Sequence, residues 1–199
     1  MEEKHEGLVL RSIDYKEREK IITLFTPTRG IISLFVKGIS RKKNHLLTLT
    51  SPFTQGEYHF RIGNSDLYSF QDGTPLNAHL FLREKLSYLT AATQFIQALL
   101  TTQLPGKPAP FLYQLVLFYL NALPKFTDPI ALISSYLLKV LKHEGVLSLA
   151  HREVSYTQEE WVTLITLTEA RHIQQLQQTL VSIELHEKIQ LTFKKIGES

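Results

Sequence analysis

The sequence predicts a two-domain α+β protein, a small five-stranded barrel followed by an all-helical domain. Three observations carry that prediction. Short runs rich in Ile, Val, Phe, Tyr and Thr, separated by Gly, Pro and Asn, fill the chain up to about residue 77. Helical spacing of apolar residues takes over from Leu80 onward. The chain has 199 residues, 43% of them hydrophobic and 21% charged, the balance of a globular protein rather than a disordered one.

In the first part, strands are expected at Gly7–Ile13, Lys20–Thr26, Ile31–Lys37, Phe53–Ile62 and Asp66–Gln71. Pro27-Thr28-Arg29-Gly30 reads as the turn of a hairpin, and Gly63-Asn64-Ser65 as a second one. The Lys20–Thr26 run is apolar on both faces, so it is expected between two neighbours. Closure into a barrel removes the edges that five such short strands would otherwise expose.

In the second part, Leu82, Leu86, Leu89, Ile96, Leu99 and Leu100 predict a helix that stops before Pro105-Gly106. Its charge-free stretch contains too many Gln and Thr residues to cross a bilayer. Pro110 suits the first turn of the next helix, which ends at Pro124. Asp128 is expected as an N-cap, with that helix running to Glu144 and stopping at Gly145. Thr157 and Glu160 form a capping box. Helical stretches follow at 169–180 and 183–196.

Composition excludes several functions. There is no Cys, hence no disulfide framework, no thiolate metal site and no cysteine nucleophile. No Gly-rich phosphate loop or nucleophile elbow is present. Three His-Glu pairs lack the second His of a zinc protease, since Val9, Leu147 and Gln190 stand there. Ser40-Arg41-Lys42-Lys43 matches S-x-x-K without its companion motifs. We expect no catalytic residues, no metal and no cofactor. Nothing at Met1-Glu2-Glu3-Lys4 reads as a secretory leader, and a cytoplasmic protein is expected.

Charge supplies the positive signal. Between Glu19 and Glu57 there is no acid, and Lys20, Arg29, Lys37, Arg41, Lys42 and Lys43 lie there. The net charge is +3, so this window of +6 leaves −3 for the rest of the chain. Such an asymmetry points to a polyanion partner. Lys37-Gly38 ends a strand, and the basic run follows in a loop spanning Ile39 to Leu49. Phe35, Phe53, Tyr58 and Phe60 lie near enough in sequence to stack bases on a barrel face. Tyr15, Phe53, Phe111, Tyr113, Phe118 and Tyr119 are expected in cores, as are Phe35 and Phe60 in the alternative. In the helical part, Lys139 and Lys142 are expected to favour a helix end, or else to edge an apolar groove that takes an acidic partner tail. A barrel and a basic loop are also compatible with an RNA-binding protein, or with an interaction scaffold that has no nucleic-acid affinity.

The first 53 residues resemble the RecO family of bacterial recombination mediators. The matching pieces are Gly7-Leu8-Val9-Leu10, Tyr15-Lys16-Glu17-Arg18-Glu19-Lys20-Ile21-Ile22-Thr23-Leu24-Phe25-Thr26, Gly30, Lys37-Gly38, Arg41-Lys42-Lys43 and Pro52-Phe53. Their order and spacing are specific in combination. The helical remainder is similar only in layout. The resemblance implies an OB fold over 1–77 that binds single- and double-stranded DNA and anneals complementary strands. It implies a helical domain over 78–199 that docks partners. Those partners are RecR and the C-terminal tail of single-strand-binding protein, with RecA loading as the outcome, in a cytoplasmic, nucleoid-associated setting. It puts Lys37, Arg41, Lys42 and Lys43, with Arg29 and Lys20, on the DNA. Many members carry a four-cysteine zinc element that this sequence lacks, so residues 150–157 are expected to replace it.

Overall fold

A computed structural model describes residues 1–40 and 44–197. Two compact units emerge. One comprises Met1–Leu80 and Gln103–Gln114, the other Phe81–Thr102 and the chain from Leu115 onward.

The first unit is a closed barrel of β1 (Glu2–Lys16), β2 (Glu19–Thr26), β3 (Gly30–Lys37), β4 (Gln55–Arg61) and β5 (Leu67–Asn77). Its strand order is β1-β2-β3-β5-β4, with β4 returning to β1. The β3–β5 pairing is parallel and the others antiparallel. With one helix between β3 and β4, this is an OB fold. β2 lies between β1 and β3, and both expected turns join antiparallel neighbours.

β1 is more than twice the length of its expected apolar run, because it pairs with β2 along one part and β4 along the other. Two bulges bend it to serve both. At the first, Leu10 is the extra residue between the Val9↔Leu24 and Arg11↔Thr23 pairs, so Leu8, Val9 and Leu10 are buried in succession. At the second, Tyr15 is the extra residue between Asp14↔Lys20 and Lys16↔Glu19.

The expected loop from Ile39 to Leu49 ends in a helix, α1 (Asn44–Leu49). Leu46 and Leu49, three apart, enter the barrel core beside Val9, Leu34, Tyr58 and Phe60. Only six residues long, α1 exists because tertiary packing holds it, which no periodicity announces. Leu49 is fully buried, and a Cβ on Gly73 would lie 2.7 Å from its side chain.

The second unit contains α2 (Leu86–Thr102), α4 (Ile130–His143), α5 (Gln158–Glu169), α6 (Ile173–Gln178) and α7 (Ile183–Gly197). Helix α3 (Pro110–Ala122) begins in the first unit and continues in the second. α4 is the central element, packing against α2, α5, α6 and α7. Its buried residues include Ile133, Tyr136, Leu137, Val140 and Leu141. Tyr136 closes an aromatic cluster with Phe95 and Tyr119 at centroid distances of 4.5 and 5.4 Å.

The capping box at Thr157 and Glu160 is present. Asp128 accepts from Ile130 N–H at 3.1 Å, but the N-cap itself is Pro129, one residue later than expected. A short 3₁₀ turn, Leu80–Arg83, precedes α2 instead of belonging to it. Leu86 and Leu89 are consequently exposed, and Tyr88, Ala91, Ala92 and Phe95 take the buried stripe. Phe111 and Phe118, expected in a core, are about half exposed, while Tyr113 and Tyr119 are buried. Adjacent positions on an all-round apolar helix cannot share one buried face, and the sequence does not say which side wins.

Candidate nucleic-acid interface

One end of the barrel gathers the β1–β2 turn and the exit of β3. Antiparallel pairing sets Glu19 opposite Lys37 and Lys20 opposite Val36. The Ile39 N–H donates to the Arg18 carbonyl at 3.1 Å, tying the turn to the segment that leaves β3. Lys16, Arg18 and Lys37 are exposed there. Lys20 pairs with Asp14 at 3.1 Å. Arg11 continues the outer surface further along β1. Five cations thus stand against the three carboxylates Asp14, Glu17 and Glu19, before the Arg41-Lys42-Lys43 run is counted.

An aromatic pair lies among these charges. Tyr15, two residues beyond exposed Ile13 on the outer face of β1, is 57% exposed, so the expectation that it is core does not hold. Its ring meets Phe35, half-buried on β3, at 5.6 Å and 88°, an edge-to-face contact. Lys16 Nζ sits over the Tyr15 ring at 5.5 Å and Lys37 Nζ over the Phe35 ring at 5.2 Å. At exposed positions each such cation–π contact contributes about 0.5–1 kcal/mol, little enough for a phosphate to compete. Ile13 is also exposed, and Ile13, Ile21 and Phe35 form one cross-strand row.

The other expected stacking residues are elsewhere. Tyr58 and Phe60 are fully buried, Tyr58 donating to the Leu49 carbonyl at 2.9 Å. Strand alternation points them inward, in step with the polar–apolar alternation Glu57-Tyr58-His59-Phe60-Arg61-Ile62. Phe53 is half-buried with φ at 70°, its carbonyl 2.8 Å from His79 Nδ1.

The structure separates the residues expected to act together. Lys20 and Lys37 share one end of the β2–β3 hairpin. Arg29 is at the other, about 23 Å away for seven strand residues at ~3.3 Å each. Arg29 also forks onto Glu3, Nε to Oε2 at 2.5 Å and Nη2 to Oε1. Those bonds hold the Glu3 carboxyl below the usual carboxylate range against the opposing effect of burial, with help from His5. The guanidinium is therefore already matched. Arg41, Lys42 and Lys43 lie outside the described residues. Lys16 and Arg18 were missed because Glu17 and Glu19 keep them outside the acid-free window, and Tyr15 because it was expected in a core. The hairpin register, which puts Glu19 opposite Lys37, is the signal that recovers them.

In the second unit, Lys139 donates to the carbonyls of Thr168 and Ala170 at 2.9 and 2.8 Å, and Lys142 pairs with Glu169 at 2.5 Å. Both fasten the end of α5. A cleft of about 750 Å³ opens between α2 and α7, but its charged lining residues are Glu187 and Lys194, and neither Lys139 nor Lys142 reaches it. The segment at 150–157 is held by Arg152 on the Tyr156 carbonyl and by Lys188 on the Ser155 carbonyl. Among the described residues no three His, Cys, Asp or Glu side chains cluster as metal ligands. Among the same residues no helix is long and apolar enough to cross a membrane.

Comparison with known proteins adds a family. The model of the family described as Recombination protein O N terminal matches residues 1–79, which span the whole barrel. A protein of Chlamydia pneumoniae named DNA repair protein RecO is 33% identical over 144 residues, 72% of this chain and 56% of its own length. Proteins of the same name from Bacillus pumilus and Listeria monocytogenes serotype 4a are 31% and 29% identical over the same shares. The matches thus span little more than half the length of these relatives. On the barrel, its strand order and these matches, residues 1–79 form the N-terminal domain of the RecO family, and the chain is similar to RecO proteins beyond it.

Proposed function

We propose that the chain is a non-catalytic DNA-binding protein of recombinational DNA repair. The observation that carries this reading is the acid-free basic stretch from Lys20 to Gly56, in whose sequence Arg41, Lys42 and Lys43 follow Lys37 of an already cationic barrel end. Lys37, Arg41, Lys42 and Lys43 engage phosphates, and Lys20 supports them. Such contacts release counterions and need no base sequence, so single- and double-stranded DNA both bind. By holding one strand's phosphates, the basic surface lowers the repulsion met by an incoming strand and so speeds annealing. Residues 1–77 serve as the DNA-binding domain and 78–199 dock proteins. Similarity to the RecO family supports RecR and the tail of single-strand-binding protein as partners, with RecA loading as the outcome, in a cytoplasmic, nucleoid-associated setting.

The test is binding of a labelled single strand across a salt series, for the wild type and for Arg41→Glu/Lys42→Glu/Lys43→Glu. Log affinity should fall with log salt at about −0.7 per phosphate neutralised, near −3 for about four contacts. The variant should bind more weakly with a flatter slope while remaining folded. A wild type that binds no DNA at low salt would remove this reading. Tighter binding to matched RNA would redirect it.

A further inference from the structure

We infer that Tyr15 and Phe35 form a stacking site for unpaired bases of single-stranded DNA, with Lys16 and Lys37 passing from the rings to the phosphates. This rests on the DNA-binding reading and extends it from charge to base contact. The barrel core does not use Tyr15. The residue lies on the outer face of β1, two residues beyond Ile13, with its ring open to solvent.

Edge-to-face packing with Phe35 stiffens the ring without covering both of its faces. What does lie over the rings is an ammonium group on a flexible stem in each case, Lys16 over Tyr15 and Lys37 over Phe35. Each ammonium is also a counterion for a nearby phosphate. One movement, lysine from ring to phosphate, therefore bares an aromatic face and anchors the backbone beside it. A base of any identity has a π-face for that surface, which suits a protein that must not read sequence.

The 88° angle between the rings adds a constraint. Two neighbouring bases cannot stay stacked on each other while each lies flat on one of two perpendicular rings. The strand must unstack locally here. A duplex, whose bases are paired and enclosed, gains nothing from the rings and only the charge. The site accordingly separates single-stranded from double-stranded DNA, which the lysines alone do not.

The test compares three probes with the full chain: a short thymidine oligonucleotide, an abasic deoxyribose-phosphate strand of equal length, and a duplex. Base–aromatic stacking predicts wild-type preference for the thymidine strand over the abasic one by about 5- to 150-fold. Tyr15→Ala should bring the two together, leaving duplex affinity and the salt slope unchanged. Tyr15→Trp should restore the preference, and Phe35→Leu, which keeps apolar volume on β3, should reduce it. Matching circular dichroism would show each variant folded. Equal wild-type affinity for thymidine and abasic strands would overturn the stacking site while leaving charge-driven binding intact. No affinity for any probe would overturn both.

Discussion

Arg29, at the turn between β2 and β3, grips Glu3 of β1 with two nitrogens, joining residues 26 apart in sequence. Glu3 is 13% exposed and Arg29 35%. His5 adds a third contact to Glu3 at 2.7 Å. A forked, partly buried pair of this kind exceeds the usual surface ion pair, and solvent access to Arg29 limits it to about 1–2 kcal/mol. Arg29→Ala should lower stability by that amount. It should leave the DNA affinity of the folded protein within about twofold, because the charge is already matched. Since the folded Glu3 carboxyl titrates below its unfolded value, its contribution is complete above about pH 4.3. It is lost as the pH falls through the folded value. Glu3→Gln should therefore flatten the acid limb of a urea-midpoint profile. A tenfold loss of DNA affinity in Arg29→Ala would show instead that DNA competes for this guanidinium.

Gly30 ends the same turn with φ at 59°, and a Cβ there would lie 2.1 Å from the Lys107 carbonyl oxygen. The segment from Gln103 to Gln114 is seated on this turn by backbone bonds, Gly106 N–H to the Ile31 carbonyl and Ala109 N–H to the Pro27 carbonyl. Gly30→Ala should cost at least about 3 kcal/mol, the left-handed conformation and the displaced backbone together. Gly106→Ala, with φ at 75° and open space around the new methyl, should cost about 1 kcal/mol. Chemical denaturation measures both. Equal losses would mean that the segment does not press on the turn.

These two turn residues show what the sequence made legible. Pro27-Thr28-Arg29-Gly30 announced a hairpin through local turn chemistry, as did the Thr157–Glu160 cap. Local signals are readable because their partners lie within a few residues. The grip of Arg29 on Glu3, the return of β4 to β1 and the seating of Lys107 over Gly30 are long-range, and nothing local encodes them. At the candidate site the cations were legible as composition. Which ones share an end of the barrel depended on strand register. The exposure of Tyr15 depended on which face of β1 the barrel turned outward.

Lys139 reaches from α4 to the last carbonyls of α5, and burial lowers its pKa. Lys139→Met keeps the stem and removes the donor, leaving the Thr168 and Ala170 carbonyls without that partner. A loss of about 1–3 kcal/mol is expected. Lys142→Ala breaks an ion pair whose two side chains are half exposed and should cost under about 1 kcal/mol. Thermal unfolding followed at Trp161, buried on α5, reads both directly. The reverse ranking would show that α5 is not held by Lys139.

Tyr58, Tyr113, Tyr119 and Tyr136 are all buried, and burial raises the pKa of each phenol. Each hydroxyl has a partner: the Leu49 carbonyl, the Glu6 carboxylate, Ser135 and the Phe95 carbonyl. In the folded state these groups keep their protons above pH 10, where the unfolded chain releases them. Stability is therefore unaffected by them at neutral pH and falls as the pH rises beyond about 10, by up to ~1.4 kcal/mol per pH unit for each tyrosine. Their phenolate absorbance should appear only as native circular dichroism is lost. Tyr58→Phe should make the alkaline fall shallower for the barrel unit, and Tyr136→Phe for the helical one, each with about 1–2 kcal/mol lost at neutral pH from the broken hydrogen bond. Phenolate absorbance from these residues in a still-folded protein would mean that water reaches hydroxyls that the two cores are packed to exclude.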